Sequence, residues 1–140
     1  MCDYSIIIPV YCNSETLNEL MHQIEHKIIK RNPELTGQVI FCEDGSTDDS
    51  FQKLTELNKS YNNIQILRFT RNFGQIPAIL AGLDISDSKA YIVISADLQD
   101  PVELINEFLN HHFKENFEIV YGERIGRADS FTSKIAAKFF

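Results

Sequence analysis

The sequence predicts a doubly wound α/β fold: an open, mostly parallel sheet with helices on both faces. Three observations predict it. Short apolar runs recur along the chain, helical patterns separate them, and each run ends in a polar cluster while the loops that follow the helices are bland. Uninterrupted apolar runs read as strands buried on both faces. Strands alternating with helices give parallel sheets joined by right-handed crossovers. Such sheets bind ligands at the carboxyl ends of their strands, so the site belongs on one edge.

The first strand is Tyr4–Ile8, stopped by Pro9. Asn13 or Ser14 caps a helix whose apolar face is Leu17, Leu20, Met21, Ile24 and Ile28, at helical spacing. Pro33 and Gly37 punctuate the return to a second strand, Gln38–Cys42. Ser46 or Thr47 caps the next helix, with Asp48 and Asp49 in its first turn complementing the helix dipole. The third strand is Ile64–Phe69, and the helix after it runs through Leu83 with Pro77 in its first turn. The fourth strand, Ala90–Ser95, leads to Asp100-Pro101-Val102-Glu103, which predicts a helix with Asp100 as N-cap and Pro101 at its first position. Phe117–Tyr121 reads as a fifth strand.

At 140 residues the chain is one domain with room for a hydrophobic core. Its formal net charge of −7 argues against a nucleic-acid partner, which needs a basic footprint. Cys2, Cys12 and Cys42 have no zinc-site or redox-pair spacing, and a reducing, cytoplasmic compartment fits them best. No signal peptide or 18-residue apolar stretch is present in these residues. Phe131, Ile135, Ala136, Phe139 and Phe140 form an apolar stripe beside Lys134 and Lys138, and the sequence stops inside that amphipathic pattern. It therefore divides into a core, 1–125, and the start of an amphipathic C-terminal segment, 126–140, that reads as truncated and favours self-association.

The polar clusters carry the chemistry. If the extended geometry of the fourth strand persists, Ser95, Asp97 and Gln99 point the same way. Oxygen donors of this kind suit Mg²⁺ or Mn²⁺, ions that usually bridge one or two carboxylates to substrate phosphates. Asp97 serves equally as a loop cap on residue type alone. Glu43 and Asp44 end the second strand, where they either accept hydrogen bonds from a nucleobase or ribose or set a tight turn. Arg71, Gly74 and Gln75 supply a cation suited to phosphate and a backbone that approaches a ligand at a helix start. Arg124 and Arg127 follow the fifth run, as a second anion clamp or a solvated basic loop. His22 and His26 have zinc-compatible spacing but no third ligand in view. The whole predicts a handler of nucleotide diphosphates.

Five stretches in order resemble the inverting GT-A glycosyltransferases of family 2, nearest to the polyprenyl-phosphate sugar transferases such as dolichyl-phosphate mannose synthase. They are Ser5-Ile-Ile-Ile-Pro-Val-Tyr-Cys-Asn-Ser-Glu15, Glu43-Asp-Gly-Ser-Thr-Asp-Asp-Ser50, Arg71-Asn-Phe-Gly-Gln75, Ala96-Asp-Leu-Gln-Asp-Pro101 and Val120-Tyr-Gly-Glu-Arg124. The resemblance implies a Rossmann-like GT-A core that binds a UDP- or GDP-sugar. Pro9, Tyr11 and Glu15 would line the nucleotide pocket, with Asp44 near the base and Arg71 close to the nucleotide; Glu43, Gly74 and Gln75 are counted among the nucleotide-binding residues. Asp97 and Gln99 would hold a divalent cation on the diphosphate, and Arg124 and Arg127 would face the acceptor phosphate. Ser95 and Glu43 depart from the family, which often has Asp at both positions.

The acceptor implied is a polyprenyl phosphate. A hydroxyl acceptor needs a general base, whereas a phosphate is already anionic and needs cations and positioning. In that subfamily the full-length parent works at the cytoplasmic face of the membrane, associated through its C-terminal part. Two alternatives stand beside this reading: a fragment that binds donor without transferring, and a transferase that glycosylates a saccharide hydroxyl. A signalling receiver is disfavoured because Pro9-Val-Tyr-Cys-Asn13 stands where its acid pair would follow the first strand. A dinucleotide dehydrogenase lacks its glycine fingerprint there.

Overall fold

A computed structural model of the chain describes residues 1–123. Four strands, β1 (Cys2–Val10), β2 (Gly37–Glu43), β3 (Ile64–Arg68) and β4 (Ser88–Val93), alternate with four helices. These are α1 (Leu17–Ile24, continued by a π-helical stretch Glu25–Ile29), α2 (Ser50–Ser60), α3 (Gln75–Ile85) and α4 (Leu104–Glu115). The sheet order is β3-β2-β1-β4 and every pairing is parallel. The chain winds outward from β1 to β3, then returns to place β4 on the other side of β1. The topological switch therefore falls between β1 and β4.

Alternation along β1 sorts the two cores. Tyr4, Ile6, Ile8 and Val10 pack with Val39, Phe41 and Ile92 beneath α1, α2 and α4 in the larger core. Ile7 joins Ile40, Cys42 and Ala78 of α3 in a smaller core on the opposite face. α3 sits close to the sheet because Gly82 has no side chain: a Cβ there would lie 2.6 Å from the Cys42 Sγ and 2.7 Å from the Ile7 Cγ2. Helices thus cover both faces, as the sequence predicts.

Several boundaries differ from the sequence reading, each for a physical reason. Pro9 does not stop β1; it pairs in register with Cys42. Ile7 accepts from the Ile94 N–H of the β4 side, and Val10 accepts from the Asp44 N–H of the β2 side. Alternation therefore turns the nitrogen of Pro9 toward β4, beyond the last β4 pairing at Val93, so no ladder bond is lost. β4 ends at Val93 rather than Ser95. The helices also start later than their expected caps, and neither Asn13, Ser14, Ser46 nor Thr47 caps a helix. Their side chains or amides bond across loops instead. Ahead of α4, i→i−3 bonds from Leu104, Ile105 and Asn106 to Pro101, Val102 and Glu103 wind the entry tightly, so the regular helix begins after Asp100-Pro101.

The fifth strand is absent among the described residues. Asn116 closes α4 in the left-handed conformation, and Phe117 donates its N–H to His111 and accepts at its carbonyl from the His112 ring. That backbone is satisfied by the helix end and not by a neighbouring strand. Phe117, Ile119 and Tyr121 stay exposed. A cavity of about 450 Å³ separates residues 118–122 from the outer edge of β4. Arg124, Arg127 and the amphipathic stripe lie outside the described residues.

Candidate functional site

All four strands point the same way, so the loops after them gather on one edge. A cavity of about 240 Å³ opens there, lined by Pro9, Val10, Tyr11, Asn13, Asp44, Asn72, Gly74, Gln75 and Ser95. Every one of the four carboxyl-end loops contributes to it, and it spans the β1–β4 switch. The larger cavity beside β4 runs along the strand rather than at its carboxyl end and holds none of the predicted site residues.

The loop after β1 folds around Asn13, whose side-chain oxygen accepts from the Tyr11 N–H and whose carbonyl accepts from Thr16, and it is stitched onto the segment after β2. The Cys12 N–H donates to the Ser46 Oγ at 3.0 Å, the Asn13 N–H to the Ser50 Oγ at 3.0 Å, and the Ser14 N–H to the Asp48 Oδ2 at 3.1 Å. Lys53 returns a 2.7 Å bond to the Ser14 carbonyl. Cys12 takes a positive φ of 54° to make this fit. The run Ser46-Thr-Asp-Asp-Ser50 is therefore a cradle for the β1 loop as well as the entry to α2, where the Asp48 Oδ1 accepts the Ser50 N–H at 3.0 Å. Burial works to raise the Asp48 pKa, but hydrogen bonds from Ser50 and Ser14 outweigh it and hold the carboxyl at about 2.

Glu43 and Asp44 are adjacent but serve different loops. Glu43 is fully buried, accepts from the Ser46 N–H, and pairs with Arg68 at 3.2 Å. The Arg68 guanidinium lies 3.8 Å from the centroid of the Phe51 ring, so its role is structural, as its place on a strand suggests. Glu43 does not line the cavity. Asp44 does, and its two oxygens accept from the backbone N–H groups of Phe73 and Gly74 at 2.7 and 2.8 Å.

That bond pair fixes the entry to α3. Gly74, at φ 100°, precedes the helix, whose first turn opens at the cavity wall. Pro77 in that turn has no N–H to lose, as expected from sequence. Arg71 stacks over Phe73, 4.7 Å from the ring centroid, and remains exposed outside the cavity lining.

Beyond β4 the extended geometry stops, and with it the alternation that would align Ser95, Asp97 and Gln99. Leu98 takes φ 59°, and Asp97 accepts the Gln99 N–H at 3.0 Å in a side-chain-closed turn. Thr16 anchors this turn by donating to the Ala96 carbonyl at 2.6 Å. Only Ser95 of the three lines the cavity. Among the described residues no group of three or more His, Cys, Asp or Glu can hold a metal unaided. Asp97 is left as a single carboxylate on this turn, and Mg²⁺ or Mn²⁺ usually takes one or two carboxylates and fills its other positions from phosphates and water.

Pro9, Tyr11, Asp44, Gly74, Gln75 and Ser95 are thus brought together; Glu15, Glu43, Arg71, Asp97 and Gln99 are not part of the lining. Asn13 and Asn72 line the cavity although the sequence marked one as a cap and left the other unassigned within its motif. Their signal is position: each sits in a loop directly after a strand.

The family described as Glycosyl transferase family 2 matches residues 5–139. The chain is similar to the Uncharacterized glycosyltransferase YkcC of Bacillus subtilis (strain 168), 39% identical over 140 residues, covering 98% of this chain and 42% of that protein. It is also similar to the Undecaprenyl-phosphate 4-deoxy-4-formamido-L-arabinose transferase of Proteus mirabilis (strain HI4320), 34% identical over 137 residues, covering 96% and 40%. The chain spans about two fifths of the length of these curated relatives. Among solved structures, S. aureus TarS 1-349 in complex with UDP superposes with a TM-score of 0.68 at 15% identity, covering 90% of this chain and 38% of that one. The mannosyltransferase PcManGT from Pyrobaculum calidifontis, in complex with GDP-Man and Mn²⁺, superposes with a TM-score of 0.60 at 16% identity, covering 69% and 30%. These structural likenesses establish the GT-A fold.

Proposed function

The chain belongs to glycosyl transferase family 2, and we propose that its described part binds the nucleotide diphosphate of a UDP- or GDP-sugar for transfer to a polyprenyl phosphate. The observation that carries this reading is the cavity at the β1–β4 switch, walled by all four carboxyl-end loops. Ligands of open α/β sheets bind at such a crevice. Tyr11 and Asn13 offer an aromatic face and an amide at one wall, suited to a nucleoside. The start of α3 at the other wall offers backbone N–H groups and the positive end of a helix dipole, suited to a diphosphate.

Asp97, with Gln99 and Ser95, would hold Mg²⁺ or Mn²⁺. Such an ion, when bound, neutralises the charge that develops on the leaving diphosphate. The protein's own part is to orient the donor so that the acceptor reaches C1 from the face opposite the nucleotide, inverting the configuration. A polyprenyl phosphate attacks as an anion and requires no general base, only cations that offset its repulsion by the donor. Arg124 and Arg127, which follow the fifth apolar run in sequence, suit that role. The name of the Proteus mirabilis relative supports an undecaprenyl-phosphate acceptor. Membrane association belongs to the whole protein; no helix among the described residues is long and apolar enough to cross a bilayer.

The test is transfer by the full-length protein from radiolabelled UDP- and GDP-sugars to undecaprenyl phosphate and, in parallel, to saccharide acceptors. Lipid-linked product is expected. Transfer to a saccharide hydroxyl with none to undecaprenyl phosphate would overturn the acceptor assignment, and donor binding with no transfer to any acceptor would overturn the transferase assignment.

A further inference from the structure

Thr16 stands at the entry to α1 and breaks a local rule there. It occupies the N-cap position, where a threonine hydroxyl ordinarily accepts an N–H from the first helical turn. Its backbone already lies in the helical region, at φ −100° and ψ −20°, and its side chain makes no capping bond. The hydroxyl instead donates to the Ala96 carbonyl at 2.6 Å, across 80 residues of sequence. The Asn13 carbonyl, 3.1 Å from the same hydroxyl, is already served by the Thr16 N–H at 3.0 Å. A hydroxyl has one proton, and the shorter bond takes it.

The partner of that bond is the turn that carries Asp97. Pairing along β4 ends where the Ile94 N–H meets the Ile7 carbonyl, so the ladder does not place the residues that follow. The bond from the Gln99 N–H to the Asp97 Oδ1 closes the turn on itself, which fixes its shape and not its place. Ala96, 2% exposed, packs into the larger core, but an apolar contact has no direction. The Thr16 bond has one. Because the peptide unit is planar, holding the Ala96 carbonyl also sets the direction in which the chain enters Asp97. On its other side, Thr16 donates its N–H to Asn13, which lines the donor cavity and is itself tied to Ser50. One residue thus links the cavity wall to the turn that bears Asp97.

We propose that Thr16 is a positioning residue for the cation: its hydroxyl orients the Ala96–Asp97 peptide and so sets Asp97 relative to the donor cavity. Thr16 acts through Asp97 and does not itself line the cavity. This rests on the proposed role of Asp97 in holding Mg²⁺ or Mn²⁺, and the experiment separates the two.

The full-length protein is compared with Thr16→Val, which keeps the branched shape and loses the donor, and with Thr16→Ser, which keeps the hydroxyl and loses the methyl. Calorimetry measures UDP and GDP, each with and without Mn²⁺. Residue-resolved hydrogen exchange follows the Gln99 amide, with Ile6, Ile7 and Ile8 of β1 as the reference for the intact fold. In Thr16→Val the Gln99 amide exchanges roughly twofold to tenfold faster and the Mn²⁺ enhancement of nucleotide affinity falls by a similar factor, the span of one lost hydrogen bond. Affinity without Mn²⁺ and exchange in β1 stay unchanged. Thr16→Ser keeps the wild-type behaviour in both arms.

Either wild-type Gln99 exchange or a wild-type Mn²⁺ enhancement in Thr16→Val would overturn the proposal. So would equal weakening with and without Mn²⁺, which a merely structural role produces, or a Thr16→Ser protein as impaired as Thr16→Val. If the wild type shows no Mn²⁺ enhancement, the cation reading fails; faster Gln99 exchange in Thr16→Val then still upholds Thr16 as the tie of the turn, and unchanged exchange overturns it. Should Thr16→Val deprotect β1 as well, Thr16→Cys, a weaker donor, takes its place in both arms.

Discussion

Gly45→Ala tests how the two central loops are built. Gly45 sits at φ 67°, and an alanine methyl would lie 2.5 and 2.7 Å from the Arg71 carbonyl carbon and Cα. Those are backbone atoms, which cannot swing aside as a flexible side chain would. The left-handed conformation costs a residue with a Cβ about 1–2 kcal/mol. Forcing the backbones apart adds about 1–3 kcal/mol, by analogy with an overpacked core. Reduced freedom of the unfolded chain returns only about 0.4–1 kcal/mol. The net expectation is a destabilisation of roughly 1–4.5 kcal/mol, read by urea unfolding as a lower midpoint with an unchanged slope. Gly45→Asn separates the two causes, because Asn tolerates the left-handed region but keeps the collision. It should recover part of the loss and not all of it. A Gly45→Ala protein within about 0.5 kcal/mol of the wild type, the range of an ordinary surface change, would refute the close approach.

Two further perturbations probe the cores. The Tyr4 hydroxyl is buried with no hydrogen-bond partner among the described residues, so Tyr4→Phe should stabilise by about 1 kcal/mol in the same assay, since an unsatisfied buried donor carries a penalty of that order. Burial, aided by the charges of Glu25 and Glu34, pushes the Tyr4 pKa up to about 12. The folded state therefore keeps a proton that the unfolded state loses near pH 10, and a contribution fully present below that pH is lost as pH rises from 10 to 12. Tyr4→Phe should flatten that part of the pH–stability curve, while the loss from the buried Cys42 thiol, pushed by burial from 9.0 to about 11, should remain. Gly82→Ala should destabilise by about 1–2 kcal/mol, overpacking against Cys42 and Ile7 outweighing the gain in helix propensity. The added Cys42→Ala change should recover part of that loss if the contact is real, and strict additivity of the two changes would contradict it.

The central strands were legible because a strand buried on both faces needs a continuous apolar run, and Ile6–Ile8 and Val39–Cys42 have one; the edge strands β3 and β4 are only partly buried, yet Ile64, Ile66 and Leu67 around Gln65, and Ala90–Val93, are apolar enough to mark them. Phe117–Tyr121 has the same local character but no paired neighbour among the described residues, which periodicity cannot report. The caps misled for a related reason. Ser46 and Ser50 were free by local rules to bond their own helix, but they bond Cys12 and Asn13, more than thirty residues away in sequence. Pro9 passes unnoticed inside β1 because its nitrogen faces beyond the end of a ladder that only the three-dimensional pairing defines. In the site, loops after strands pointed to Asp44, Gly74, Gln75 and Ser95, and the family resemblance pointed to Pro9 and Tyr11; all six meet in one cavity. The same rule could not tell that Glu43 turns to Arg68 while Asp44 turns to Phe73 and Gly74, since adjacent residues of a strand face opposite ways and only the packing decides which face is which.

The central claim is a nucleotide-diphosphate site assisted by a divalent ion at Asp97, and calorimetric titration of UDP and GDP tests it most directly. Each is titrated with and without Mn²⁺, on the wild type and on Asp97→Asn, with circular dichroism confirming that both proteins are folded. Binding of at least one nucleotide that strengthens with Mn²⁺ in the wild type, and loses that enhancement in Asp97→Asn, is the predicted result. A folded wild type that binds neither nucleotide with or without Mn²⁺, or whose Mn²⁺ enhancement survives in Asp97→Asn, would contradict it.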